Sequence, residues 1–394
     1  MDLFDKCRQF DMMLQFVRAR GRFFYGRDLE PAASPMTSRA GRELVNLGSN
    51  NYLGLTDHPK VKAAAIAAVE RYGTGSAGSR LLTGTTPLHL EMEKRLAAFK
   101  HADSVVSFSA GFMALSATVT TLAGEGDLIF SDEFNHASII DGCRHSRAKT
   151  IVYKHNDLAD LEAKLKAAPS DAARLIVTDG VFSMEGDICE LAGLHKLAKA
   201  HNCRLMVDDA HATGVLGPTG RGTAEHFGIE GEVDITSGTL SKSMAAVGGF
   251  TAAPREVTDY LRYNARMSIF SASLPPSVPA TVLAALDVLQ AEPERVARLH
   301  ANSRFIADGL VKDGFETGYR GTPILPIAIG DDDTAYKMAG RLEEEGVFAN
   351  PVVFPAVPRG SAIIRISLMA THTEDQLGRA VEKFRVVGRE LKVI

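Results

Sequence analysis

From residue 88 onward, short apolar runs alternate with stretches whose apolar residues recur at helical spacing. Such runs are typical of parallel strands buried on both faces, and stretches such as DLADLEAKLKAA are typical of the helices that cover them. The pattern therefore predicts an α/β fold with a large, mostly parallel sheet and helices on both faces. The predicted strands cover residues 104–108, 128–130, 150–153, 175–178, 205–207 and 234–236.

The pattern changes at both ends of the chain. Near the N-terminus, apolar residues at helical spacing predict an amphipathic helix that leads into three arginines. The residues concerned are Leu3, Cys7, Phe10, Leu14 and Val17, followed by Arg18, Arg20 and Arg22. We favour packing of this helix on the protein body or a second subunit, with peripheral membrane contact as the alternative.

Beyond Pro275 and Pro276, the pattern predicts a long helix at 282–289 and then a compact α+β unit. We therefore divide the chain into three parts. These are an N-terminal helix and lead-in segment (1–55), a large sheet domain (56–289) and a small C-terminal domain (290–394).

Composition narrows the class of protein. The chain has 394 residues, of which 45% are hydrophobic and 23% charged, which is ordinary for a globular protein. Its net charge of -4 gives no reason to expect nucleic acid as a partner. Four cysteines without a C-x-x-C pair argue against a disulfide framework or a metal site, and favour a cytoplasmic setting. No signal-peptide pattern or spanning apolar run is present, so an integral membrane protein is not expected.

Polar residues stand where the predicted strands end. Ligands of parallel sheets bind beyond the carboxyl ends of the strands, so these residues are candidates for one site. Any one of them would more often be a helix cap or a satisfied core group, but several at the same edge favour a site. They are His136, Asp179, Ser183, Asp208, His211 and Lys242.

Lys242 lies in the stretch TSGTLSKSMAAVGG, preceded by the hydroxyl residues Thr239 and Ser241. A lysine can form a reversible Schiff base with pyridoxal phosphate, and nearby hydroxyls can donate to the phosphate of that cofactor. Asp208 could keep the pyridine nitrogen protonated, because an opposite charge stabilises a cation. His211 could reach the phenolic oxygen. These residue types together predict a pyridoxal phosphate site.

Three further features are compatible with such a site. The predicted strand 104–108 runs into a helix that opens near Gly111, where free amides and the helix dipole would attract an anion. Arg365 lies within an apolar strand, so it either pairs with an internal carboxylate or binds a substrate carboxylate. Asn50 lies in a polar turn, where hydrogen bonding to its own backbone is an equally good explanation.

Five stretches carry a family resemblance: GTLSKS, VDDAHATGVLG, TDGVFSMEGD, NHASIIDG and RISLMATHT. They resemble the α-oxoamine synthases, fold-type I pyridoxal phosphate enzymes that condense an amino acid with an acyl thioester. The similarity runs from about residue 5 to residue 390 in the order of the family. Within the family, GTGSAGSRLLTGT, YNARMSIFSASLPP and VFANPVVFPAVP most resemble the bacterial serine palmitoyltransferases. The resemblance implies a homodimer with shared active sites.

The resemblance also implies roles for the residues around the cofactor ring. Lys242 would hold the cofactor and act as acid and base at the α carbon of the amino acid. Asp208 would pair with the pyridine nitrogen, and His211 would contact the phenolic oxygen. His136 would stack on the ring, and Ser183 would lie near it.

For the phosphate and the substrate, the resemblance implies a second set of contacts. Backbone amides of Gly111 and Phe112, with Thr239, would hold the phosphate. A hydroxyl of the partner subunit, from Ser271 or Ser273, would join them. Arg365 and Asn50 would hold the carboxylate of the substrate.

Ser79 departs from the glycine-specific branch of the family, which carries threonine there. The smaller serine leaves room for a substrate side chain, although Ser79 could equally be a small loop residue. The expected reaction is condensation of L-serine with a long-chain acyl thioester, on coenzyme A or acyl carrier protein, to 3-ketodihydrosphingosine. The alternatives within the family are glycine C-acetyltransferase, 5-aminolevulinate synthase and 8-amino-7-oxononanoate synthase. A non-catalytic or regulatory protein of the same fold is the alternative from another class.

Overall fold

The structure, a computed structural model, describes residues 2–19, 24 and 26–394. Its first elements are helix α1 (Asp5–Ala19) and an antiparallel pair of strands, β1 (Met36–Arg39) and β2 (Arg42–Asn46). A helix is thus present where one was predicted, although it begins after Leu3, and both Leu3 and Phe10 are exposed. Arg20 and Arg22, at the predicted basic end, lie outside the described residues.

Helices α2 (Pro59–Tyr72) and α3 (Pro87–Phe99) lead into the main sheet, in which strands and helices alternate as predicted. The elements in chain order are β3 (Ser104–Phe108), α4 (Gly111–Leu122), β4 (Leu128–Asp132), α5 (Ala137–His145), β5 (Lys149–Tyr153), α6 (Leu158–Ala167), β6 (Arg174–Asp179), α7 (Leu191–Ala200), β7 (Arg204–Asp208), α8 (Thr223–His226), β8 (Ile235–Thr239) and β9 (Gly249–Ala253). The spatial order is β3-β9-β8-β7-β6-β4-β5, and only β9 runs antiparallel to its neighbours in this sheet.

Strand β9 was not predicted from the sequence. Of its five buried residues, GFTAA, three are glycine or alanine, and only Phe250 and Thr251 are of types that favour strands. The small residues have a structural reason, because β9 passes very close to the start of α4. A Cβ added to Gly249 would lie 2.6 Å from the Cα of Gly111. Glycine is therefore required where this strand passes the candidate anion site.

The remaining elements are three helices that pack on the main sheet domain, followed by a smaller α+β unit. They are α9 (Arg255–Asn264), α10 (Arg266–Ile269), α11 (Ser277–Ala291), α12 (Glu294–Lys312), β10 (Ile324–Gly330), α13 (Asp332–Glu344), β11 (Val347–Phe348), β12 (Asn350–Val352), β13 (Ala362–Ser367) and α14 (Glu374–Glu390). Strands β10, β13 and β12 form an antiparallel sheet in that order. Strand β11 pairs in parallel with β2, so the start of the chain packs on this unit.

The predicted α/β architecture with a smaller C-terminal unit is confirmed. One buried apolar cluster joins Val45 and Leu47 to Ile324 and Phe384 of the smaller unit. The exact boundaries at residues 55 and 289 stay predictions. Across the part of the chain that the structure describes, no helix is both long and apolar enough to cross a membrane.

Candidate active site

A cavity of about 220 Å³ lies at the carboxyl ends of the main strands. Parallel strands end at the same edge of a sheet, which is why residues distant in sequence meet here. Of the residues with a predicted role at the site, seven line the cavity: Gly111, Phe112, His136, Asp208, His211, Thr239 and Lys242. The cavity is completed by Leu115, Asp179, Val181, Ala210 and Ser241.

Lys242 faces two carboxyl groups from neighbouring strands. Asp179 ends β6 and Asp208 ends β7, and the two residues lie opposite each other in the register of the sheet. Burial lowers the pKa of Lys242 to about 8, although the charges of Asp208 and Asp179 act to raise it. Burial raises the pKa of Asp208 to about 6, with the charge of Lys242 acting in the opposite direction. The cavity therefore holds an amine that can lose its proton close to neutral pH.

Asp179 and Asp208 are both buried, and Asp179 has the more strongly raised pKa. Burial, followed by the charge of Asp208, raises the pKa of Asp179 well above its ordinary value. Its backbone amide donates a hydrogen bond to Asn135 Oδ1 at 2.8 Å, and its Oδ1 accepts one from the amide of His136 at 3.2 Å. Asp179 thus connects the end of β6 to the segment that carries His136. The sequence marked Asp179 as a strand-end residue but assigned it no role.

Two histidines border the same cavity as neutral rings. His136 caps the N-terminus of α5, with its Nδ1 2.7 Å from Ser138 Oγ. Burial and then the charge of Lys242 lower the pKa of His136, and the same two causes hold the pKa of His211 well below its ordinary value. Neutral imidazoles can stack on a ring or make hydrogen bonds without adding positive charge beside Lys242.

The candidate anion site lies where β3 passes into α4. The first amides of a helix have no partner within the helix, and its dipole favours negative charge there. Thr239 Oγ1 lies 2.7 Å from Ser241 Oγ and donates to the carbonyl of Gly248 at 3.1 Å. A Cβ at Gly111 would lie 2.7 Å from the Cβ of Thr239, so the two segments can approach only because residue 111 is glycine. Amides and hydroxyls consequently converge on one small region.

Arg365 lies on β13 beside this cavity and is largely buried. Its Nε donates to the carbonyl of Ser183 at 2.7 Å, and its Nη1 donates to Ser367 Oγ at 2.9 Å and to Asn50 Oδ1 at 3.5 Å. Among the described residues, no carboxylate lies within ion-pair distance of Arg365. Internal pairing, one of the two explanations offered for this arginine, is therefore not seen.

Asn50 and Ser183 both contact Arg365, which lies beside the cavity. The side chain of Asn50 faces Arg365 and Ser367. Ser183 contributes its backbone carbonyl, and its predicted contact with the cofactor ring stays a prediction.

Tyr52 extends the same set of contacts to His211, because its hydroxyl lies 2.6 Å from His211 Nδ1 and 3.4 Å from Asn50 Oδ1. Sequence reasoning missed Tyr52. A tyrosine beside the polar turn NLGSNN was its only local signal.

Six predicted residues do not line the cavity of their own chain. Asn50, Ser183 and Arg365 form the group of contacts described above, and the other three are Ser79, Ser271 and Ser273. The loop around Ser79 packs on Ser273, whose amide donates to the carbonyl of Gly78 at 2.9 Å. Ser271 and Ser273 line a separate depression with Ser109. The predicted contribution of Ser271 or Ser273 to the site of the partner subunit is compatible with this location and stays a prediction.

Comparisons with known proteins identify the family of the chain. The family model described as aminotransferase class I and II matches residues 42–384. The 8-amino-7-oxononanoate synthase of Symbiobacterium thermophilum is 47% identical over 372 residues, which are 93% of this chain and 95% of that protein. The serine palmitoyltransferase of Sphingobacterium spiritivorum is 44% identical over 381 residues, 97% of this chain and 96% of that protein.

A solved structure of a serine palmitoyltransferase with pyridoxal phosphate is 36% identical, with a TM-score of 0.96 over 100% of both chains. The resemblance predicted from the sequence motifs is thereby confirmed at the level of the family. The cofactor is pyridoxal phosphate, as the family requires. The chain belongs to the class I and II aminotransferase family and, within it, is a pyridoxal phosphate enzyme of the α-oxoamine synthase type.

Proposed function

We propose that the protein condenses L-serine with a long-chain acyl thioester, with loss of carbon dioxide, to give 3-ketodihydrosphingosine. This would be the first step of sphingolipid synthesis. The observation that carries the proposal is the superposition on a serine palmitoyltransferase over the whole length of both chains. Coenzyme A and acyl carrier protein are the two candidate carriers of the acyl group. The proposal includes a homodimer that shares its active sites.

The residues of the cavity fit pyridoxal phosphate. A half-buried lysine, two acids and a helix N-terminus surround one space, and Gly111 is packed so closely on Thr239 that a side chain would close the anion site. When bound, the cofactor supplies an electron sink for the electron pair left at the α carbon of an amino acid. We assign its aldehyde to Lys242, its pyridine nitrogen to Asp208, its phenolic oxygen to His211, its ring face to His136, and its phosphate to the amides of Gly111 and Phe112 with the hydroxyl of Thr239.

Arg365 is assigned to the carboxylate of the amino acid. A guanidinium can bind a carboxylate through two parallel hydrogen bonds, which fixes the orientation of the substrate. The carbonyl of Ser183 and the hydroxyl of Ser367 hold the guanidinium in place. Asn50 lies against the same guanidinium and is assigned to the same carboxylate.

Lys242 is assigned to proton transfer at the α carbon. Because its pKa is about 8, the amine can both take and return a proton near neutral pH. Asp208 would stabilise positive charge on the pyridine nitrogen of the cofactor. That positive charge would in turn lower the cost of burying the Asp208 carboxylate. The Lys242→Ala variant should lose turnover, and Lys242→Arg, which keeps the charge but cannot take the same role, should lose it too. A Lys242→Ala protein that kept turnover would contradict the assignment.

The test of the substrate uses the purified holoenzyme with L-serine, L-alanine or glycine and with palmitoyl or acetyl thioesters. The absorbance of the cofactor reports amino acid binding, and mass spectrometry identifies the product. We expect the highest kcat/KM with L-serine and palmitoyl thioester. Higher kcat/KM with glycine and acetyl thioester would overturn the proposal.

The second candidate is 8-amino-7-oxononanoate synthesis, and the 47% identity to a synthase of that name favours it. Its product requires alanine and a seven-carbon acyl group that ends in a carboxylate. The same assay with L-alanine and that thioester separates the two reactions. Ser79 does not discriminate between them, since it was predicted to admit either side chain.

A further inference from the structure

A second group of charged residues lies next to the candidate active site, centred on His155. Its Nδ1 lies 3.0 Å from Asp132 Oδ1 and its Nε2 lies 2.8 Å from Asp187 Oδ2. The ring stacks on Phe134, with centroids 4.5 Å apart, and meets the edge of Phe182 at 4.4 Å. We call His155, Asp132 and Asp187 the His155 cluster. None of the three was predicted to serve the site.

The geometry of the His155 cluster sets the protonation of the ring. An ionised carboxylate only accepts hydrogen bonds, and each ring nitrogen faces one, so both nitrogens carry a proton. Asp132 also accepts from the amides of Phe134 and Asn156, both at 2.9 Å, and Asp187 accepts from Asn156 Nδ2 at 2.9 Å. Burial acts to lower the pKa of His155, but the hydrogen bonds of Asp132 and Asp187 outweigh it and raise the pKa to about 10.

One side of the cluster holds the segment that carries His136. Asp132 ends β4, and its Oδ1 accepts from the amide of Phe134 within the turn that leads to His136. The amide of His136 in turn donates to Asp179 Oδ1. The position of the imidazole at the cavity therefore depends on how this turn is held.

The other side holds the hairpin 181–188. The amide of Phe182 donates to the carbonyl of Asp187 at 3.0 Å, and Val181 pairs with Ile188 across the hairpin. This hairpin also carries the Ser183 carbonyl, which accepts from Arg365 Nε at 2.7 Å. Asp187 lies at the base of the hairpin, four positions from the residue that contacts Arg365.

We propose that His155 is a positioning residue: as an imidazolium it joins the His136 turn to hairpin 181–188, and through the Ser183 carbonyl it orients Arg365 for the carboxylate of the amino acid. The inference rests on the proposed function, because it takes Arg365 as the carboxylate ligand. Asn156 also contacts both carboxylates, through its backbone amide and its Nδ2, but His155 adds a positive charge and two donors on one rigid ring. A neutral amide in place of the ring cannot donate to both carboxylates in the same geometry.

The test uses the holoenzyme of His155→Gln and His155→Arg, with His195→Gln as the control. His195 lies on α7, and its Nε2 is 3.0 Å from Glu232 Oε2. The control therefore also removes a histidine next to a carboxylate. Three quantities are measured: hydrogen exchange of the amides in 182–188, the Kd for L-serine from the cofactor spectrum, and kcat.

We expect faster exchange in 182–188 and a rise of about 10-fold in the Kd of His155→Gln, because a carboxylate ligand that acts equally in the ground state and the transition state contributes to binding and not to kcat. Its kcat should change less than the Kd. His155→Arg, which restores a cation with several donors, should recover most of the affinity. The control should match the wild type in all three measurements.

Two outcomes would overturn the inference: an unchanged Kd despite faster exchange, or an equal loss of affinity in His155→Arg. If His155→Gln does not fold, Asp187→Asn takes its place, because it weakens only one of the two carboxylate contacts of His155. Amide exchange in 182–188 and the Kd should then both rise, but by less than is expected for His155→Gln. If the wild type prefers another amino acid, the proposed function fails, but the ratio of Kd values for that amino acid still tests His155.

Discussion

The hydroxyl of Tyr52 lies 2.6 Å from Nδ1 of His211, although the two residues are 159 positions apart in the chain. Tyr52 is fully buried, and burial raises its pKa to about 12 even though the charge of Arg365 acts to lower it. The phenol therefore keeps its proton throughout the range in which enzymes work. Through Asn50, the same hydroxyl also lies next to the guanidinium of Arg365. Tyr52 thus connects His211, the candidate contact of the cofactor ring, with Arg365, the candidate ligand of the substrate carboxylate.

Substitution of Tyr52 by phenylalanine should disturb both His211 and Arg365 while leaving the fold intact. Loss of one buried hydrogen bond should lower the free energy of unfolding by about 1 kcal/mol. It should also shift the pH titration of the cofactor absorbance, because His211 loses the partner that orients it. Spectrophotometric titration and chemical denaturation measure the two effects. Tyr260→Phe, at an exposed position, is the control, and an identical titration in both variants would argue against the role of Tyr52.

The pKa of Lys242 predicts how the apoprotein takes up its cofactor. Only the neutral amine attacks the aldehyde, and a pKa of about 8 rather than 10.5 makes the neutral form about 300-fold more abundant at pH 7. The rate of cofactor uptake should therefore rise with pH and level off above about pH 8. Stopped-flow absorbance, with a free alkylamine measured in parallel, provides the check. A rate that kept rising toward pH 10 would show that burial does not lower the pKa.

Asp208→Asn should change how the rate of cofactor uptake depends on pH. The carboxylate of Asp208 raises the pKa of Lys242, so its removal should shift the midpoint of cofactor uptake to lower pH. The variant should also bind the cofactor more weakly, because the pyridine nitrogen loses its counter-charge. A midpoint that stayed in place would mean that the two groups do not interact.

Gly111→Ala tests the anion site. The added Cβ would lie 2.7 Å from the Cβ of Thr239, so α4 and the Lys242 segment must separate. Cofactor affinity should fall by about 10-fold or more, since a shift of this size misaligns several donors at once. Equilibrium dialysis of the cofactor measures the loss.

The matched control for Gly111→Ala is Gly340→Ala. A Cβ at Gly340, in α13, meets no atom within 4 Å, so that variant should bind the cofactor normally. It should be more stable by about 0.5 to 1 kcal/mol, because alanine favours a helix interior over glycine. Equal cofactor affinity in the two variants would contradict the close packing at Gly111.

Arg365→Lys tests the carboxylate ligand. Lysine keeps the charge but loses the planar fork, so the Kd for the amino acid should rise by about 10-fold with a smaller change in kcat. Steady-state kinetics and spectral titration separate the two effects. The measured affinity for the cofactor should stay within error of the wild type. A fall in kcat alone would place Arg365 in the chemical step instead.

The sequence by itself determined the order of elements and the reactive end of the sheet. Fully buried strands and amphipathic helices have local patterns, which is why six of the seven strands in the main sheet were predicted. Strand β9 escaped because its small residues are selected by the neighbouring α4, not by strand propensity. His136, Asp208, His211 and Lys242 were found because each follows a strand, a position that the local pattern reveals.

Tertiary structure alone decided which groups hold these residues in place. Arg365 meets the carbonyl of Ser183 across 182 positions, and Tyr52 meets His211 across 159. It also decided that Ser79, Ser271 and Ser273 lie away from the cavity of their own chain. Local periodicity reflects which face of an element is buried. Contacts between distant segments depend instead on how the elements pack, and the spacing of residues along the chain carries no record of that packing.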